Sequence, residues 1–213
     1  MIAKDFTNYG YYLTDIDDKL LSNVKTEILK IKSNLKSAES IGNKVDGHIT
    51  GTYKLKESTS ILESIVMPYF IEYDKHYNYL KSNYSCLTDN LNIVMNDAWV
   101  NFQNKFEFNP AHTHPGLMSF IIWLDIPYTR QDEIKFSPGT PEKNRSGSFT
   151  MYYTNVLGTV QTEDILLDHT FNNKLILFPS VIKHSVSPFY SSDLTRVSVA
   201  GNFYFQSNIK NYV

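Results

Sequence analysis

WVNFQNKFEFNPAHTHPGLMSFIIWLDIPY, residues 99–128, is the stretch whose reading decides the rest of the chain. At its centre stand His112 and His114, bracketed by Asn109-Pro110 and Pro115-Gly116. Side chains of an extended backbone repeat every two residues, so two such histidines project from one face of a strand, where one metal ion can reach both. A facial metal site needs three protein ligands on one side of the ion, with positions left open for substrates. His184, 70 residues beyond His114 in LILFPSVIKHSVSPF, is the best third ligand. His169 is its rival, but the surrounding LLDHTFNN is polar and reads as a turn.

Twelve residues after His184 begins RVSVAGN, residues 196–202. Arg196, Ser198, Ala200 and Asn202 share one strand face, and Arg196 points inward if Val197 and Val199 pack against an outer layer. A buried arginine without a partner is costly, so an inward Arg196 implies an anion. A guanidinium holds a carboxylate with two parallel hydrogen bonds, and Ser198 can add a third. A structural ion pair, for instance to Asp193, is an equally open reading of the same position. Asn101 and Gln103 share a face of a preceding strand, from which their amides can bond a cosubstrate or substrate. Ile121 and Trp123 share a face of the next strand and can wall the same pocket. Ordinary barrel packing explains both pairs as well.

Outward from this centre, short β-branched and aromatic segments run through 91–95, 98–103, 117–125, 148–153, 174–178, 182–186 and 195–205, separated by turns rich in Pro, Gly, Asn and Ser. The expected fold is mainly β with N-terminal helices: a jelly roll or related two-sheet barrel, with the helices packed on one sheet. Residues 137–147, SPGTPEKNRSG, are the longest irregular insertion and a candidate rim loop. On the N-terminal side, residues 1–14 read as a short strand or arm. Leu21, Val24, Ile28, Ile31 and Leu35 recur in steps of three and four, predicting an amphipathic helix over 15–38. Its stripe either docks on the same chain or forms a homodimer seam. A second helix is expected from Ser58–Ser60, where Ser60 and Glu63 have capping-box spacing. Ile61, Ile65, Tyr69, Tyr73, His76 and Leu80 would line one face, with Pro68 kinking or dividing it. The expected organisation is one domain over 1–213, a helical elaboration over 1–90 and a β core over 91–213.

With 42% hydrophobic and 20% charged residues the chain is globular, and a formal net charge of -2 gives no electrostatic footprint for nucleic acid or an anionic membrane. Cys86 is the single cysteine, which excludes an internal disulfide and a thiolate-rich metal site. No signal peptide and no apolar run long enough to span a bilayer are visible, so a soluble, cytoplasmic protein is expected.

The motifs taken together resemble the iron(II)/2-oxoglutarate-dependent oxygenases, most closely a prolyl-hydroxylase-like branch. That branch orders Trp-x-Asn, His-x-His-Pro, a Ser-led aromatic strand, Phe-Pro, a distal His and Arg-x-Ser ending in Asn. Trp99-Val100-Asn101, His112-Thr113-His114-Pro115, Ser119 to Trp123, Phe178-Pro179, His184 and Arg196 to Asn202 match in that order. The likeness covers residues 91–206 and leaves the first 90 only loosely matched. It implies a double-stranded β-helix in which His112, His114 and His184 hold Fe(II). It also implies that Arg196, assisted by Ser198, clamps the far carboxylate of 2-oxoglutarate, with Asn101 a further cofactor-binding candidate. The implied reaction hydroxylates an unidentified substrate with O2 while decarboxylating 2-oxoglutarate to succinate. One departure stands out. The broader superfamily usually carries His-x-Asp or His-x-Glu, so His114 leaves the site one positive charge richer and open to zinc as well.

Two further readings remain at this level. One is a non-enzymatic jelly-roll module that binds a ligand or a protein. The other is a cupin-type three-His dioxygenase that uses no 2-oxoglutarate. Arg196 separates the first of these from an oxygenase, because a binding module needs no anion clamp beside its histidines.

Overall fold

The computed structural model describes residues 8–42, 47–84 and 92–206, so Cys86 and the first residue of the 91–95 segment lie outside the described residues. The extended segments form antiparallel strands, most of them after residue 92. The strands are β1 (Tyr12–Asp15), β2 (Gly51–Lys54), β3 (Ile93–Gln103), β4 (Asn109–His112), β5 (Met118–Asp125), β6 (Phe149–Thr154), β7 (Val160–Ile165), β8 (Lys174–Pro179), β9 (Lys183–Val186) and β10 (Arg196–Phe205). They build a six-stranded sheet, β1-β8-β5-β10-β3-β2, and a four-stranded sheet, β4-β9-β6-β7, with every pairing antiparallel.

The period of two sorts the large sheet's side chains into two cores. Phe120, Ile122, Val197 and Val199 face one way and pack with the helices α1 (Ser22–Ser33) and α2 (Thr59–Tyr77) through Val24, Ile28, Val66 and Phe70. Trp123, Ile176 and Phe178 face the other way and pack with Phe149, Met151 and Ile165 of the small sheet. The outward placement of Val197 and Val199 required by an inward Arg196 is thus observed. The α1 stripe docks into the helix-side core of the same chain, with Leu21, Val24 and Ile28 buried.

Several expectations are corrected. Segments 91–95 and 98–103 fuse into the single long β3, because the intervening Asn96-Asp97 is absorbed as an irregularity in its pairing with β10. The helix α1 is shorter than 15–38, and the buried face of α2 is Leu62, Ile65, Val66, Phe70 and Tyr73, while His76 is exposed. Pro68 leaves α2 continuous over Thr59–Tyr77, since packing on the sheet outweighs one lost backbone bond. No capping box forms at Ser60. The carboxylate of Glu27 on α1 instead accepts the amides of Lys56, Glu57 and Ser58 just before α2, at 2.7, 3.0 and 2.8 Å. A short helix, α3 (Tyr79–Asn83), follows α2. Two elements were not anticipated: strand β7 and helix α4 (Arg130–Phe136), whose Thr129 cap accepts the Asp132 amide. Among the described residues no helix is long and apolar enough to cross a membrane.

Candidate active site

His112 and His184 are direct cross-strand partners on β4 and β9, which sets their rings on the same sheet face with centroids 4.4 Å apart. His114 is not in the strand; it lies just past the end of β4, where its amide donates to the Ser180 carbonyl at 3.0 Å. The turn nevertheless carries its ring back to the pair, 4.9 Å from His112 and 5.0 Å from His184. One ring nitrogen from each of the three lies within 4.8 Å of the others, the spacing one metal ion needs. His169 sits in a one-turn 3-10 helix outside this group, so the rival third ligand is set aside.

Backbone carbonyls fix how two of the imidazoles present themselves. The Nδ1 of His112 lies 2.8 Å from the Pro110 oxygen, and the Nδ1 of His184 lies 3.0 Å from the Ile182 oxygen. A carbonyl can only accept, so each Nδ1 carries a proton, and in the neutral tautomer this fixes the lone pair is on Nε2. His184 is buried among Phe149 and Phe178, with ring centroids 5.3 and 5.0 Å away. Burial first, then the neighbouring His112 and, weakly, His114, lower its pKa from 6.5 to about 3, so it is neutral at ordinary pH. Neutral imidazoles with an oriented second nitrogen are what a divalent transition metal binds.

The three histidines open onto a cavity of about 680 Å³, its mouth included, whose far wall carries Arg196, Ser198 and Asn101. Ile121 and Trp123 line it too, as their shared strand face required. Arg196 is 3% exposed, and its partners are all neutral. Its Nε donates to Gln103 Oε1 at 3.1 Å, its Nη2 donates to the same oxygen, and its Nη1 donates to Tyr128 Oη at 2.6 Å and to the Gly147 carbonyl at 2.9 Å. Asp193, the alternative partner, pairs with Lys105 instead. Among the described residues no carboxylate forms an ion pair with Arg196, so a buried cation faces the cavity without a counter-charge.

Gln103 is therefore committed to Arg196 rather than free to bond a cosubstrate, whereas among the described residues Asn101 makes one side-chain bond, accepting from Thr52 through Oδ1 at 3.2 Å. Tyr128 and Gly147 belong to this site although sequence reasoning passed over them. Burial pushes the Tyr128 hydroxyl pKa up, against the downward pull of adjacent Arg196. Its ring stacks on Phe189 at 5.0 Å. Gly147 closes the 137–147 loop with φ +69°, and a Cβ there would meet Tyr128 Oη at 2.7 Å. That loop is tied down by Arg130, which donates to the Ser146 carbonyl at 2.6 Å.

The mainly β scaffold thus brings together three clustered imidazoles that could hold a metal ion and a buried cation on the wall of the same cavity that could meet an organic anion. Residues 97–202 match the family model described as "Putative 2OG-Fe(II) oxygenase", and on these residues the chain belongs to the iron(II)/2-oxoglutarate-dependent oxygenases. The cofactors of this enzyme family are Fe(II) and 2-oxoglutarate, and the three-histidine donor set suits the metal. Similar solved structures share the fold at low identity. A prolyl-4-hydroxylase from Pseudomonas putida superposes with a TM-score of 0.58 at 12% identity, over 93% of this chain and 94% of that one. A prolyl hydroxylase from Trichoplax adhaerens, solved with a hypoxia inducible factor oxygen degradation domain peptide fragment, gives 0.53 at 15% identity, over 92% and 83%. AviO1 from Streptomyces viridochromogenes gives 0.52 at 6% identity, over 95% and 92%. No curated protein sequence matches the chain.

Proposed function

We propose that the chain is a hydroxylase, with His112, His114 and His184 as the iron ligands and Arg196, Ser198 and Asn101 as the cosubstrate subsite. We read residues 1–213 as one domain in which the two sheets form a double-stranded β-helix. The observation that carries the reading is the pairing of a three-imidazole cluster with a buried arginine, uncompensated by any carboxylate among the described residues, on the wall of one cavity.

When bound, Fe(II) and 2-oxoglutarate supply the oxidative chemistry, coupling decarboxylation to succinate with oxidation of a substrate C–H by O2. The chain supplies orientation. The Pro110 and Ile182 carbonyls hold the Nδ1 protons of His112 and His184, which would leave both Nε2 atoms to hold the metal without tautomer exchange. Phe149, Phe178 and Trp123 exclude water behind the ligands. Arg196 receives the distal carboxylate of the cosubstrate, and the Ser198 hydroxyl beside it donates a further bond. The primary substrate is an unassigned C–H donor.

Anaerobic titration of the Fe(II)-loaded protein with 2-oxoglutarate tests this directly. A saturable visible charge-transfer band is expected, lost in Arg196→Ala, with iron retention lost in His184→Ala. Iron binding without any band would replace this reading by a three-His dioxygenase that needs no 2-oxoglutarate, and absence of stoichiometric metal would remove the enzyme assignment of the site.

A further inference from the structure

Arg196 has five N–H groups. Four are engaged: Nε and one on Nη2 by Gln103 Oε1, and two on Nη1 by Tyr128 Oη and the Gly147 carbonyl. One N–H on Nη2 remains for a ligand. Gln103 is 3% exposed and its amide cannot turn over, because Nε2 donates to the Glu107 carbonyl at 2.6 Å and, more weakly, to the Ser187 carbonyl at 3.4 Å. Its oxygen is thereby aimed at the Nε–Nη2 edge of the guanidinium, where two N–H groups lie parallel as in two-point pairing with a carboxylate. A glutamate at this position would make that pair internally and cancel the charge. Glu133, the buried carboxylate whose field reaches Tyr128, is not available either. It is held by the Tyr190 amide at 3.0 Å and the Ser191 amide at 2.7 Å.

We propose that Gln103 is the positioning and selectivity residue of the cosubstrate subsite: a neutral, orientation-locked amide that holds the guanidinium rigid while leaving its charge unspent for the cosubstrate's distal carboxylate. Rigidity lowers the ordering cost of binding, and the unspent charge sets the preference for a dicarboxylate over a monocarboxylate. This inference rests on the cosubstrate reading given above for Arg196.

The test compares 2-oxoglutarate with 2-oxopentanoate, which offers the same keto-acid chelate but ends in a methyl group. Affinities are measured by anaerobic calorimetry on the full chain loaded with Mn(II), with the thermal midpoint followed alongside. The wild-type protein is expected to prefer 2-oxoglutarate by about tenfold or more, the scale of one charged hydrogen bond. In Gln103→Glu that ratio collapses towards one while 2-oxopentanoate affinity and Mn(II) binding stay within about threefold, because only the distal charge interaction is lost. Gln103→Met keeps the arginine charged but no longer holds it, so the preference for 2-oxoglutarate survives while its affinity falls by about threefold or more. This also serves if Gln103→Glu does not fold, because an unchanged 2-oxoglutarate affinity in Gln103→Met would overturn the positioning role. A ratio unchanged in Gln103→Glu, or lost equally in Gln103→Met, overturns the role of Gln103. A wild-type protein that binds both acids equally overturns instead the assignment of Arg196 on which it rests.

Discussion

Arg196 shows how far a single residue can be read. Its face on the strand and the need of a buried guanidinium for an anion were legible in RVSVAGN, and so were the three histidines, because strand periodicity and donor chemistry are local. Its actual partners were not. The pattern leaves Gln103 open between a ligand contact and barrel packing and gives no sign of Tyr128 or Gly147, since which neutral acceptor meets a guanidinium depends on chain segments 49 to 93 residues away. Gly147 is the sharpest case. Its backbone sits at φ +69°, its carbonyl accepts from Arg196, and an added Cβ would press on the Tyr128 hydroxyl. Gly147→Ala should destabilise the fold by about 2 kcal/mol from left-handed strain alone, a fall of ~4–8 °C in a chain of this size. Urea denaturation and thermal melts check the magnitude. A variant as stable as the parent would mean that the loop relaxes freely around this position.

At the scale of elements, strands with alternating apolar residues were found and those without were missed. VQTEDI of β7 is polar along most of its length because it is an edge strand, so it carries little of the pattern that marks a strand. The α2 stripe was displaced because ILESIVMPYF offers apolar residues on more than one face, and only the docked sheet chooses among them. The start of α2 at Thr59 falls where Ser58–Ser60 placed it, but the expected capping box does not form, since the cap comes from another helix. Glu27 is buried yet keeps a lowered pKa: burial raises it, and the amide bonds from Glu57, Ser58 and Lys56 together outweigh that rise. Its folded pKa lies below its unfolded value, so its contribution is fully present above the unfolded value near 4.5 and is lost as pH falls through the folded one. Glu27→Gln should therefore cost about 1–3 kcal/mol at neutral pH and less in acid, with α2 the first element to fray. Guanidinium melts at pH 7 and pH 3 measure the difference, and an equal cost at both would argue against the capping role.

Across the whole molecule the proposed metal site would act as a fastener between layers. His112 and His184 stand on the four-stranded sheet, while His114 belongs to the turn that leads into β5 of the six-stranded one. An ion binding only the folded chain stabilises it by mass action, about 2.7 kcal/mol at a hundredfold excess over its dissociation constant. Adding Mn(II) should raise the melting temperature, and His184→Phe should remove that shift. The metal-free protein carries the complementary signature. As pH falls below 6.5 the unfolded chain protonates His184, whereas the folded chain resists until about 3, because burial and then the neighbouring His112 disfavour the cation. The unfolded state therefore binds more protons throughout that window, and stability falls as pH falls across it. His184→Phe should flatten this part of the profile relative to the parent, after the shared acid loss from carboxylates such as Glu27 is subtracted. Profiles that run parallel for parent and variant between pH 6.5 and 3 would show that His184 takes up its proton in the folded chain as readily as in the unfolded one. In that case the imidazole cluster is open to water, and the aromatic wall of Phe149 and Phe178 does not seal the back of the site.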